Sequence, residues 1–118
     1  MTGKELLVQV NNQSVNETAI KEVETKYGIQ LPVFVQRIIS YSQESVFLEN
    51  DWRTLSLNEI LDASEDLHVD FAGLKILPLI DTGDNDFIVY RFDSATWAKF
   101  NIIDECFFKN MNCLDDFF

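Results

Sequence analysis

Apolar residues recur at helical spacing in two segments between residues 14 and 41, and each segment has its own boundary signals. Ser14-Val15-Asn16-Glu17 is a capping-box pattern, in which the first and last side chains bond each other's backbone N–H groups, so it predicts a helix beginning at Ser14. Gly28 favours a left-handed backbone and predicts the end of this helix. Pro32 suits the first position of a second helix, where its missing N–H is not needed. The apolar positions of the two predicted helices are Val15, Ala19, Ile20, Val23 and Tyr27, and then Val33, Phe34, Ile38, Ile39 and Tyr41.

Short apolar runs replace the helical spacing after residue 45 and predict strands. Residues 46–48 and 52–55 are two such runs around Asn50-Asp51, a pair that suits a turn. Ser56-Leu57-Asn58-Glu59 repeats the capping box, so we expect a short third helix there. The polar, acidic residues 63–70 predict a loop after it.

Three longer runs, residues 74–80, 87–92 and 97–103, predict an antiparallel meander. Pro78 has no N–H to donate, so it must lie at a sheet edge or near a strand end. The apolar tail predicts a short docked helix, with Phe107, Phe108, Leu114, Phe117 and Phe118 as its anchoring residues. Helices combined with antiparallel strands indicate an α+β fold.

The composition fits one domain with one core. A chain of 118 residues with 47% hydrophobic residues is long enough to bury a core, so we expect a single domain over residues 1–118, with residues 1–13 as a short N-terminal extension. Cys106 and Cys113 would lie about 10 Å apart along a helix, too far to form a disulfide. Two reduced thiols indicate a cytoplasmic protein.

Acidic residues outnumber basic ones by twenty to nine, which gives a formal charge of −11. Residues 1–59 carry five basic and eight acidic residues, whereas residues 60–118 carry four and twelve. Because the chain lacks the clustered Lys and Arg that neutralise phosphates, nucleic acids and anionic membranes are disfavoured as partners. A basic protein partner is favoured electrostatically, and acidity kept only for solubility is the alternative.

The tripeptide Asp81-Thr82-Gly83 matches the catalytic motif of retroviral-type aspartic proteases. Those enzymes need two carboxylates that share a proton, held in a glycine-rich, all-β frame. Here the charged Asp84 follows the motif, the chain has only four glycines, and its first third is predicted to be helical. The protease hypothesis is therefore rejected.

A calcium loop is the second hypothesis for the same turn, because Asp81, Asp84, Asn85 and Asp86 offer several oxygen ligands within six residues. An EF-hand needs glycine at its sixth position and glutamate at its twelfth, whereas here, counting from Asp81, glycine is third and Phe92 is twelfth. A hairpin turn explains the residues better, since Gly83 allows a positive φ and Asp and Asn cap turn N–H groups.

The remaining candidates for chemistry are isolated. His68 is the only histidine, and we predict that it is a solvated loop residue. Trp52 and Trp97 are predicted core residues. No catalytic residue, metal site or cofactor is expected.

Four groups of residues stand in an order and spacing that are together specific. They are Lys26-Tyr27-Gly28-Ile29 with Leu31-Pro32, Trp52 to Ile60, Leu77-Pro78 with Asp81-Thr82-Gly83-Asp84-Asn85, and Phe87-Ile88-Val89-Tyr90. Over residues 14–118 this pattern resembles the SUKH superfamily, the Smi and Knr homology group. The resemblance implies a twisted antiparallel sheet of about four to six strands flanked by helices. It also implies an immunity protein, as in bacterial members that bind a cognate polymorphic or contact-dependent toxin, often a nuclease, and block it without chemistry.

We therefore expect a non-enzymatic domain that captures a basic toxin domain, in particular a nuclease, through acidic complementarity. The expected partner-binding residues are Glu65, Asp66, Asp70, Asp81, Asp84 and Asp86. A cytoplasmic regulatory scaffold that binds an endogenous protein is the alternative function. A hydrolase or metal site at the acidic turn is the third hypothesis.

Overall fold

The structure is a computed structural model that describes every residue from 1 to 118. Its helices are α1 (Gly3–Asn11), α2 (Glu17–Tyr27), α3 (Val33–Tyr41), α4 (Leu57–Leu67) and α5 (Phe71–Leu74), followed by a final 3-10 helix (Leu114–Phe117). Its strands are β1 (Arg53–Thr54), β2 (Ile76–Gly83), β3 (Asp86–Arg91), β4 (Thr96–Asn101) and β5 (Cys106–Met111). All neighbouring strands pair antiparallel, in the order β1-β2-β3-β4-β5. The predicted α+β fold with an antiparallel sheet is confirmed.

Capping residues fix where the helices begin, and one predicted cap is wrong. The cap of α2 is Asn16, whose side chain accepts a hydrogen bond from the Ala19 N–H at 3.1 Å. The backbone N–H of Asn16 is itself held by the Ser40 hydroxyl at 2.9 Å, so a tertiary contact places the cap two residues after Ser14. The capping box at Ser56 and the left-handed Gly28, with φ of 69°, are both confirmed.

Helix α1 (Gly3–Asn11) lies within residues 1–13, which the sequence sets apart as an extension. Thr2 and Glu5 make a capping box at its start, a signal that could have identified this helix in the sequence. Leu6 and Val10 are each only 1% exposed and belong to the single 28-residue core cluster. Helix α1 is therefore part of the core.

Three elements after residue 45 differ from the predicted ones. The strand pair around Asn50-Asp51 is reduced to β1 and one bridge between Phe47 and Arg53. The predicted loop over residues 63–70 is wrong up to Leu67, because α4 continues that far with Ala63 on its buried face. The tail is not a helix from its start: residues 106–111 form β5, and only the last turn is helical.

The register of the sheet decides which side chains share a face. Arg53 pairs with Asp81, and Asp81 pairs with Phe87, so these three residues lie on one face. Ile88 and Lys99, which pair with each other, lie on the opposite face. Because β3 is buried along its length, helices and loops cover both faces.

Both edges of the sheet carry residues that discourage pairing with a strand of another chain. Pro78 lies in the first half of β2, where β1 provides no partner, as its missing N–H predicts. Lys109 in the edge strand β5 has a positive φ of 52°, and the register between β4 and β5 shifts nearby. A charged, irregular edge of this kind resists the addition of a further strand.

None of the helices is long and apolar enough to cross a membrane.

Candidate functional site

A narrow cleft lies between α4 and the face of the sheet that carries Asp81. Its volume is about 110 Å³. One wall is α4, and the opposite wall is formed by β1, β2 and β3 at the end of the sheet where the β2–β3 turn lies. The lining residues are Arg53, Leu55, Glu59, Ala63, Asp66, Leu67, Asp81 and Phe87.

An ion-pair cluster of three residues lines this cleft. The Arg53 guanidinium donates to Glu59 Oε1 through Nη1 at 2.8 Å and to Asp81 Oδ2 through Nη2 at 3.4 Å. Asp81 Oδ1 accepts a hydrogen bond from the Gly83 N–H at 2.9 Å, which fixes its orientation. The cluster thus joins β1, β2 and the start of α4, although Arg53 and Asp81 are far apart in sequence.

Glu59 has two roles, because the carboxylate that binds Arg53 also caps α4. Its Oε1 accepts from the Ser56 N–H at 3.0 Å and from the Ser45 hydroxyl at 3.0 Å. The hydrogen bond from Arg53 lowers the pKa of Glu59 to about 2, helped by the bonds from Ser56 and Ser45 and opposed by partial burial. The same bond raises the pKa of Arg53. Both groups are therefore charged at neutral pH.

Two of the six predicted partner-binding residues meet in the cleft. Asp66 comes from α4 and Asp81 from β2, and both line the same opening. Asp81 is held by Arg53, whereas the exposed Asp66 takes part in none of the ion pairs. The structure therefore places these two carboxylates on the two walls of one cleft, Asp66 on the helix and Asp81 on the sheet.

Two other predicted residues have structural partners away from the cleft. Glu65 Oε1 forms an ion pair with Lys26 Nζ at 3.2 Å, which links α4 to α2. Asp70 caps α5, because its Oδ1 accepts from the Gly73 N–H at 3.0 Å. Their carboxylates stabilise local structure and do not point to a common surface with Asp81.

The last two predicted residues lie in and beside the β2–β3 turn, which is the predicted hairpin. Asp84 and Asn85 both have positive φ, 55° and 65°, as the two central residues of a tight hairpin turn require. Asp84 is exposed at the tip, whereas Asp86 accepts a hydrogen bond from Asn101 Nδ2 at 2.9 Å. Asp86 lies on the sheet face opposite to Asp81, so the carboxylates of this turn do not converge as a calcium loop would require. No group of three or more His, Cys, Asp and Glu side chains has the geometry to hold a metal ion.

The β4–β5 turn adds residues that the sequence reasoning missed. Asn101 Oδ1 accepts from the N–H groups of Ile103 and Asp104 at 3.0 and 2.9 Å, while its amide binds Asp86. This side chain, together with the bond from the Ile102 N–H to the Asn85 carbonyl oxygen at 3.0 Å, holds the β4–β5 turn with Asp104 and Glu105 beside the β2–β3 turn. The only sequence signal was the acidic pair itself, because its position depends on strand pairing.

The single histidine, the two cysteines and the two tryptophans all lie outside the cleft. His68 is exposed at the left-handed end of α4, and both cysteines are free and exposed. Trp97 is buried in the core as predicted, whereas Trp52 is half-buried, with its ring 6.1 Å from that of Phe118.

Comparisons of the chain with protein-family models, with curated proteins and with solved structures find no match.

Proposed function

We propose that this chain is a non-enzymatic protein-binding domain of the immunity type, which neutralises a basic toxin domain, in particular a nuclease, by covering its active surface. One observation carries the proposal: carboxylates from separate segments gather at the end of the sheet that holds the cleft. They are Asp66 from α4, Asp81 from β2, Asp84 from the β2–β3 turn, Asp86 from β3, and Asp104 and Glu105 from the β4–β5 turn.

The charge at this end favours a cationic protein surface. Arg53 is the cation of the cleft, and two carboxylates already hold it. Asp66, Asp84, Asp104 and Glu105 are exposed and have no basic side chain within ion-pair distance. A nuclease binds phosphates with Lys and Arg, so the exposed carboxylates at this end are complementary in charge to its active surface and speed encounter with it.

The sequence resemblance to the SUKH superfamily supports the same proposal, since it implies an immunity protein that binds a toxin and blocks it. The observed antiparallel sheet with helices agrees with the fold that the resemblance implies. Fold alone does not determine function, so the weight rests on the acidic end of the sheet.

The direct test is co-expression with a toxin domain encoded by a neighbouring gene, with cell survival as the measurement. We expect the wild-type chain to restore growth and the charge-neutralised variant Asp66→Asn/Asp84→Asn/Asp104→Asn to protect less. The matched control neutralises Asp62, Asp93 and Asp116, three exposed carboxylates that lie away from the acidic end. Equal death with and without the wild-type chain would contradict the immunity proposal. The regulatory scaffold would then be the better hypothesis.

A further inference from the structure

We infer that the cleft between α4 and the sheet receives one arginine side chain of the protein partner, an inference that rests on the proposed protein-binding function. The occupant follows from three properties of the cleft: its size, its charge and the chemistry of its walls.

The size of the cleft limits what can enter. Pockets for organic ligands and cofactors usually enclose about 300–1,000 Å³. The volume of this cleft, about 110 Å³, is well below that range and suits one long side chain. A protruding residue of a partner therefore fits, whereas a complete substrate molecule does not.

The charge of the cleft selects a cation. Three carboxylates, those of Glu59, Asp66 and Asp81, face one guanidinium, that of Arg53. Glu59 is occupied by Arg53, Ser56 and Ser45, and Asp81 binds Arg53 by the longer contact of 3.4 Å. Asp66 takes part in none of the ion pairs, and each Asp81 oxygen accepts a single bond, from Gly83 or Arg53, so both carboxylates keep acceptor capacity for a second cation.

The walls favour arginine over lysine. The half-buried Leu67 supplies apolar surface against which an aliphatic stem can pack, whereas Leu55 and Phe87, which also line the cleft, are only 2% and 5% exposed and add little. A guanidinium is planar, weakly hydrated and able to bind two carboxylates at once, whereas an ammonium is compact and strongly hydrated. Entry into a narrow, partly apolar cleft therefore costs arginine less hydration than it costs lysine.

The inference is tested on the isolated chain with N-acetyl-arginine amide as the probe, followed by amide chemical shifts in a nuclear magnetic resonance titration. We expect shifts that cluster at residues 63–67, 81 and 87 and saturate with the probe. The lysine analogue is expected to bind at least about fivefold more weakly, and the neutral glutamine analogue to cause no clustered shifts. Equal shifts from all three amides, or shifts spread over the acidic surface, would overturn the inference.

A pair of variants on the same helix separates the cleft from general acidity. Asp66→Asn removes a charge that lines the cleft, and Asp62→Asn removes an exposed charge one turn earlier that lines the groove between α2 and α4 instead. Asp66→Asn is expected to weaken arginine-amide binding about fivefold, and Asp62→Asn to leave it unchanged. An equal effect of both substitutions would refute the cleft as the site.

The same variants distinguish failure of this inference from failure of the proposed function. If the wild-type chain protects cells and Asp66→Asn binds the toxin domain as tightly as Asp62→Asn does, the arginine pocket is wrong and the immunity proposal stands. If the arginine amide binds in the cleft but the chain gives no protection, the pocket stands and the immunity proposal is wrong.

Discussion

Arg53 on β1 and Glu59 in the first turn of α4 form an ion pair with an N–O distance of 2.8 Å, and the same Glu59 oxygen completes the capping box of α4. The pair therefore stabilises a helix start and a contact between helix and sheet at once. Because the Glu59 side chain remains 38% exposed, its contribution is smaller than a buried pair would give.

The first prediction concerns the charge of Glu59. Glu59→Gln keeps an oxygen for the capping bond but removes the charge, so we expect a loss of about 1 kcal/mol in the free energy of unfolding at neutral pH. The pKa of Glu59 is lowered to about 2, so the unfolded chain binds this proton more readily than the folded chain does. The stabilisation is therefore present above the ordinary glutamate pKa and is lost as the pH falls toward about 2. Urea denaturation between neutral pH and about pH 2 measures it, and parallel pH profiles for wild type and variant would contradict the prediction.

The second prediction compares two candidate caps of α2. Asn16→Ala removes the side chain that accepts from Ala19 and is expected to cost about 1 kcal/mol of folding stability. Ser14→Ala, the matched control, is expected to change the stability little because the Ser14 hydroxyl makes no capping bond. Thermal denaturation of both variants measures the difference, and a larger loss for Ser14→Ala would place the cap where the sequence pattern put it.

The third prediction concerns α1. Leu6 is 1% exposed and Val8, two positions later, is 57% exposed. Leu6→Ala is expected to cost about 2–5 kcal/mol, because it leaves a cavity in the core, whereas Val8→Ala should cost well under 1 kcal/mol. Chemical denaturation measures both. If Leu6→Ala were as mild as its control, the first residues would be an extension outside the core.

The fourth prediction concerns a buried hydroxyl between two helices. Tyr27 Oη donates to the carbonyl oxygen of Ile60 at 2.6 Å and so ties α2 to α4. Tyr27→Phe is expected to cost about 1 kcal/mol, and Tyr41→Phe, at a half-buried hydroxyl, less. Burial also raises the pKa of Tyr27, so its contribution is complete below the ordinary tyrosine pKa and is lost at higher pH. Unfolding measured at neutral and alkaline pH should therefore show a steeper alkaline loss in wild type than in Tyr27→Phe, and identical losses would contradict this.

Local signals predicted the elements whose boundaries depend on neighbouring residues. The Ser56 capping box, the left-handed Gly28 and the hairpin turn around Asp84 were all visible in the sequence because each acts within a few residues. The predicted cap of α2 at Ser14 is wrong because Ser40, 24 residues away from Asn16, holds the backbone of Asn16. Strand β5 was missed because pairing with β4, and not its own sequence, makes it a strand.

The candidate site was only half predictable for the same reason. The sequence identifies Asp66 and Asp81 as candidate binding residues because they are acidic, but their meeting in one cleft depends on the packing of α4 against β2. The sequence does not predict Arg53 as a site residue, since a single arginine in a short strand forms no local pattern. The end of α4 could have been found, because Ala63 and Leu67, inside the segment predicted as a loop, continue the helical spacing of Ile60.

The double role of Glu59 has a kinetic consequence. Because one carboxylate both caps α4 and holds Arg53, separating the two walls of the cleft at this point breaks the ion pair, so the pair favours their closed arrangement. The opening is therefore shaped before any partner arrives, and little conformational entropy is lost on association. Capture of a basic partner is then expected to be limited by diffusion and charge steering, which would suit the proposed neutralisation of a toxin.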